Sequence, residues 1–209
     1  LCIPSASKVC CNFPETLSYL PKEKAVLTGS PIRQELLQGN RLRALQFTGL
    51  SANKPVILVM GGSLGAAAVN DAVRSILPRL LPDFQVIHLC GKGKLDTSLE
   101  NQAGYVQYEY IKGELKDLFA LSDIVISRAG ANAICELLAL RKPSLLIPLS
   151  AAASRGDQIL NARSFEKQGF SMVLEEENIT DELLLSTIHT LFEKRADLTA
   201  AMEQSQQTD

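Results

Sequence analysis

A doubly wound parallel α/β fold is predicted by three features of the sequence. Short β-rich runs are apolar throughout, helix-length segments separate them, and small-residue turns follow several of the runs. Strands that are apolar without alternation are covered on both faces, as in a parallel sheet, and strand–helix alternation places ligands at the carboxyl ends of the strands.

The runs span residues 25–28, 56–60, 85–89, 124–127, 144–147 and 171–174, and a weaker one at 105–110 fits a short strand or an extended loop. Between them, residues 66–81 carry Val69, Val73, Ile76, Leu77 and Leu80 at helical spacing, and residues 132–140 carry Ile134, Leu137, Leu138 and Leu140. Segments 158–168 and 181–194 follow the same period. Residues 1–24 show no clear strand, and the stretch after Arg195 reads as a polar tail.

The 209 residues suffice for one large domain, and 46% hydrophobic content supplies a sizeable core. A net charge of -2, with no Lys/Arg cluster, argues against nucleic acid as a partner. The five cysteines form no disulfide ladder and no C-x-x-C pair, so reduced thiols and a cytosolic location are expected. His88 and His189 lie far apart without metal-ligand spacing. No apolar stretch approaches the ~18 residues needed to cross a bilayer, and there is no secretory signal. The chain starts at Leu1 in mid-pattern, which suggests a piece of something longer.

Four segments carry candidate chemistry. After the run at 56–60 comes Gly61-Gly62-Ser63-Leu64-Gly65-Ala66 and then a helix. Such a turn aims backbone N–H groups and a helix N-terminus at a phosphate, and Ser63 adds a hydroxyl. Glycines Gly62 and Gly65 let the ligand approach the backbone, although a tight turn without ligand would look the same. The spacing matches neither G-x-G-x-x-G nor a Walker loop, so a diphosphate other than a dinucleotide or ATP is favoured. In the second segment, Ser127-Arg128-Ala129-Gly130-Ala131-Asn132 opens another helix, with Glu136 about one turn in. That carboxylate either accepts from two vicinal hydroxyls of a ribose or complements the helix dipole. The third segment joins Pro148 to Asp157-Gln158, with Asn161 beyond. Asp157 and Gln158 could bond sugar hydroxyls, and Asp157 also suits an N-cap. The fourth, Thr28-Gly29-Ser30-Pro31-Ile32-Arg33, offers Arg33 as a bidentate phosphate clamp or as a plain surface arginine.

Taken together and in order, these segments resemble the MurG family of bacterial cell-wall transferases, from about Lys8 to about Glu193. The resemblance implies a GT-B architecture of two Rossmann-like domains, with this chain as the C-terminal half. Residues 25–195 would then be the donor-binding domain, residues 1–24 a remnant of the N-terminal acceptor domain and its connector, and residues 196–209 a truncated tail. The implied donor is UDP-N-acetylglucosamine and the implied acceptor is lipid I, bound through the N-terminal domain at the inner face of the cytoplasmic membrane. No cofactor and no metal are implied.

By the same resemblance, Ser63 and nearby N–H groups hold the diphosphate and Arg33 neutralises it, together stabilising the leaving group of an inverting displacement. Glu136 takes the ribose hydroxyls, and Ile111 bonds the uracil edge through its backbone. Gly130, Ala131 and Asn132 approach the sugar or phosphates, and Asp157 and Gln158 the N-acetylglucosamine. Two positions depart from the family pattern: Leu64 and Asp157 stand where glutamine is common. The acceptor loops and a candidate general base are not found, and neither histidine is given a catalytic role. The implied activity of the whole protein is hexosyl transfer, with the fragment alone inactive. Two alternatives are a UDP-N-acetylglucosamine 2-epimerase-like enzyme and a non-catalytic donor-binding subunit with a membrane partner.

Overall fold

Five of the six apolar runs, together with the weaker run at 105–110, become the strands of one parallel sheet. The computed structural model describes residues 3–61, 67–151, 153 and 156–205. Strands β1 (Val9–Cys11) and β2 (Ala25–Leu27) pair with each other in a separate two-stranded sheet. The main sheet contains β3 (Val56–Met60), β4 (Gln85–Leu89), β5 (Tyr105–Tyr108), β6 (Ile124–Ser127), β7 (Ser144–Leu146) and β8 (Ser171–Val173). Their order is β5-β4-β3-β6-β7-β8, and every adjacent pair is parallel. The chain winds outward from β3 in one direction and from β6 in the other. The switch point therefore lies between β3 and β6, where ligands bind in open α/β sheets.

The unbroken apolar character of β3 follows from its two covered faces. Ile57 and Val59 pack with Val69, Val73 and Ile76 of α2 (Ala67–Leu80) and with Leu184, Ile188 and Leu191 of α6 (Asp181–Glu193). Val56 and Leu58 face Leu118 and Leu121 of α3 (Leu115–Leu121), Leu137 of α4 (Ala131–Ala139) and Phe165 of α5 (Asp157–Lys167). Helix α1 (Arg41–Thr48) lies against α3. Asn40 caps α1 through its side chain, and Gly49 closes it in the left-handed conformation (φ 70°).

Three expectations need correction. Residues 1–24 do contain a strand, β1, too short and too exposed to show an apolar run. The run beginning at Ala25 forms β2 but stays outside the main sheet, and its half-exposed faces fit a pair covered on one side only. The stretch after Arg195 is helical: α7 (Arg195–Glu203) buries Leu198 and Met202, one in each of the two core clusters. The weak run at 105–110 resolves into β5.

His88 is a structural residue of the core. It is fully buried on β4, with Nδ1 2.9 Å from the Tyr105 hydroxyl and Nε2 3.0 Å from Asn70 Oδ1. Burial, followed by the nearby Arg74 charge, lowers its pKa to about 3, so the ring is neutral. Asn70 also donates to the Cys90 carbonyl, at 2.9 Å. This network ties α2, the helix that follows the glycine turn, to the ends of β4 and β5. Among the described residues no helix is long and apolar enough to cross a membrane.

Candidate functional site

The carboxyl ends of β3, β4 and β5 frame a cavity of about 200 Å³ lined by Arg33, Met60, Gly61, Leu89, Gly91, Glu109, Tyr110, Ile111 and Leu115. Met60, Leu89, Ile111 and Leu115 make its apolar walls, the chemistry that receives the faces of a flat base. Gly91 turns there at φ 89°, a conformation that favours glycine. The Glu109 carboxylate accepts from Gly93 N–H at 2.7 Å and so fastens the loop after β4 to the chain leaving β5. Of the apolar wall residues only Ile111 is expected, and that through the family resemblance; Met60 and Leu89 read as strand ends and Leu115 begins α3.

Arg33 sits at the N-cap of a short 3-10 helix, Gln34–Gln38. Its guanidinium forks onto Glu136, with Nε donating to Oε1 at 2.9 Å and Nη2 to Oε2 at 3.1 Å. The hydrogen bond to Glu136 raises the arginine pKa above its ordinary value, against the opposing effect of burial. The arginine side chain is 50% exposed and the carboxylate 14%. Two residues read separately from the sequence, 103 positions apart, thus form one unit at the rim of the cavity.

Gly130 is the N-cap of α4, with φ -66° and ψ 139° and no side-chain cap bond. That conformation suits any residue, and a Cβ built there meets nothing within 4 Å. Neither backbone strain nor packing demands glycine at 130, and glycine is itself a favoured N-cap residue. Ala131 and Asn132 follow in the first turn, half-buried and exposed respectively.

Asp157 is the first residue of α5, and the N-cap is Gly156 at φ 81°, so the expected aspartate cap is displaced by one position. Asp157 lines a different cavity of about 550 Å³, against Phe13, Thr16 and Tyr19. Gln158 turns back onto the protein, its Oε1 accepting from Leu149 N–H at 3.1 Å. Asn161 donates to the Ala129 carbonyl at 3.1 Å, which holds α5 against the turn before α4. Gly62, Ser63 and Gly65 of the glycine turn lie outside the described residues. Gly61, at the end of β3, lines the cavity beside Arg33.

A parallel sheet with an apolar slot over the carboxyl ends of β3, β4 and β5, next to the switch point, and an arginine–carboxylate fork beside that slot has the layout of the C-terminal half of a GT-B glycosyltransferase. Residues 56–209 match the model of the glycosyltransferase family 28 C-terminal domain, and the chain belongs to that family. Over all 209 residues it is 66% identical to a UDP-N-acetylglucosamine–N-acetylmuramyl-(pentapeptide) pyrophosphoryl-undecaprenol N-acetylglucosamine transferase of Lachnoclostridium phytofermentans, covering 59% of that protein. It is 54% identical to the protein of the same name from Geobacillus thermodenitrificans, again with 59% covered. The crystal structure of Acinetobacter baumannii MurG superposes with a TM-score of 0.68 at 25% identity, over 94% of this chain and 55% of that one. A glycotransferase of kitacinnamycin, at 16% identity and a TM-score of 0.69, covering 94% of this chain and 51% of its own, shares the fold. The chain thus spans little more than half the length of these relatives.

Proposed function

We propose that this chain binds UDP-N-acetylglucosamine as the donor half of an inverting N-acetylglucosaminyltransferase that converts lipid I to lipid II. The meeting of three separate segments carries the proposal: Arg33 and Ile111 line one slot beside the switch point, and Glu136 is forked onto Arg33. Uracil enters the apolar slot and meets the backbone of Ile111. The ribose hydroxyls go to Glu136. The diphosphate lies over the turn that begins at Gly61 and reaches the α2 N-terminus, with Arg33 alongside. The N-acetylglucosamine extends past Gly130, Ala131 and Asn132 toward Asp157 and Gln158.

As UDP departs, negative charge grows on its β-phosphate. Backbone N–H donors of the glycine turn and the Arg33 guanidinium, once it pairs with the phosphates, would stabilise that charge. Acceptor binding and the general base are assigned to the portion of the relatives that this chain does not span. A peripheral place at the inner face of the cytoplasmic membrane is part of the same proposal, since the relatives are named for a pyrophosphoryl-undecaprenol acceptor.

Calorimetry of the 209-residue chain with UDP, UDP-N-acetylglucosamine and ADP tests the assignment. UDP is expected to bind more tightly than ADP, and equal affinities would remove the uracil slot. Absence of binding to any of the three would overturn the donor-site reading for this chain. Gly130→Ala is a second test. It should lower stability by about 1 kcal/mol, the cost of alanine in place of glycine at an N-cap, since the added methyl meets no protein atom. It should weaken UDP-N-acetylglucosamine roughly tenfold by standing a methyl where the ligand approaches, a loss of ~1.4 kcal/mol. Unchanged donor affinity in that variant would show that no ligand comes close to position 130.

A further inference from the structure

We propose that Arg33 determines specificity by withholding the Glu136 carboxylate from any nucleoside that lacks a phosphate. The inference rests on the donor-site assignment above and adds to it a competition for one acceptor. In the structure both carboxylate oxygens of Glu136 accept from Arg33, at 2.9 and 3.1 Å. A ribose would address the same two oxygens with its pair of hydroxyls. The carboxylate is fixed on the second turn of α4 and only 14% exposed, so it has little freedom to offer another face.

The two partners differ in how readily they move. Arg33 is half exposed and sits on the cap of a short 3-10 helix, where its side chain can swing without disturbing the sheet. It already lines the cavity beside Gly61, the first residue of the phosphate turn. A guanidinium pairs with phosphate by the same two-bond fork it uses on a carboxylate. A nucleoside diphosphate therefore offers Arg33 an equivalent partner and frees Glu136 for the ribose. Uridine offers none, and must displace the ion pair without giving Arg33 a replacement partner. A ligand can shift such an equilibrium only by the difference in its affinity for the two states, and that difference resides in the phosphates.

The test compares uridine and UDP on the 209-residue chain and its Arg33→Met variant, with binding followed by chemical shifts and folding checked by thermal melting. The variant should bind uridine about fivefold more tightly than the parent, the scale of a partly exposed ion pair removed as competitor. UDP should bind the variant roughly tenfold more weakly, since its phosphates lose their clamp. A second measurement needs no variant: inorganic pyrophosphate, by drawing Arg33 away, should tighten uridine binding to the parent chain. The inference is overturned by uridine binding that is unchanged, weaker, or undetectable in both proteins at millimolar concentration, or by pyrophosphate that does not help uridine. UDP that binds the parent no better than ADP would instead remove the donor site itself. A clear UDP preference without any uridine gain would sink the competition alone.

Discussion

Arg128→Met is expected to lower the unfolding free energy by about 3 kcal/mol, read as a fall in the urea midpoint at constant m-value. The Arg128 side chain is 9% exposed and its partner Glu176 is 22% exposed. Nη2 donates to the Glu176 carboxylate, while Nη1 donates to the carbonyls of Ile147 and Pro148 at 3.1 and 3.2 Å. One guanidinium therefore joins the end of β6 to the end of β7 and to the 3-10 helix Glu176–Asn178 beyond β8. Methionine fills much of the same volume but leaves a half-buried carboxylate and two carbonyls without their donor. Breaking a pair from one side costs far more than its net contribution, because the remaining charge keeps its desolvation penalty. The Arg128 Nε is buried without a hydrogen-bond partner among the described residues, so part of the cost of burying arginine is already present in the native protein. Lysine at 128 should recover only a part of the loss, since one ammonium cannot reproduce the spread of a planar fork. A double variant, Arg128→Met with Glu176→Gln, should lose less than the sum of the single changes. Strict additivity would mean that the ion pair contributes nothing.

How far such features can be read from sequence depends on the range over which they act. The strands of the main sheet are legible because burial on both faces leaves a local trace, as in Val56–Met60, where neighbouring residues serve opposite clusters. The small-residue turn after β6 is legible for a similar reason: it runs directly into the start of α4, a local feature of the chain. Strand β1 leaves almost no trace, because three residues with one buried side chain make no pattern. Helix α7 shows only Leu198 and Met202 at a spacing of four among polar neighbours, too little to signal docking against both core clusters. The Arg33–Glu136 fork and the Arg128–Glu176 pair join positions 103 and 48 apart, and nothing local encodes the partner. Arg33 and Glu136 can be named as candidates, but the pairing itself is a product of topology.

Gly39→Ala is expected to destabilise the protein by about 2 kcal/mol and to weaken UDP binding, although position 39 does not line the cavity. The backbone at Gly39 has φ -71° and ψ 150°, ordinary for any residue, so no turn preference betrays it in the sequence. The constraint is steric. A Cβ at this position would lie 2.1 Å from the Lys116 carbonyl oxygen, 2.8 Å from its carbonyl carbon and 2.9 Å from Ala120 Cβ. Those atoms belong to α3, whose backbone cannot give way locally. The segment carrying Gly39 must instead lift by roughly 1 Å, beyond what a packed contact absorbs without loss. That movement strains the bond from Asn40 N–H to Asp117 Oδ1, at 2.6 Å, and unseats Leu36, which is 3% exposed in the core. Arg33 begins the same short helix and would shift relative to Glu136 on the unmoved α4. Gly113→Ala provides the control, since a Cβ at that position meets nothing within 4 Å. It should leave stability within ~0.5 kcal/mol. Equal urea midpoints for the two variants would show that contact with α3 is not what requires glycine at 39. A destabilised Gly39→Ala with unaltered UDP affinity, measured where the protein is still fully folded, would show that Arg33 is placed independently of this contact.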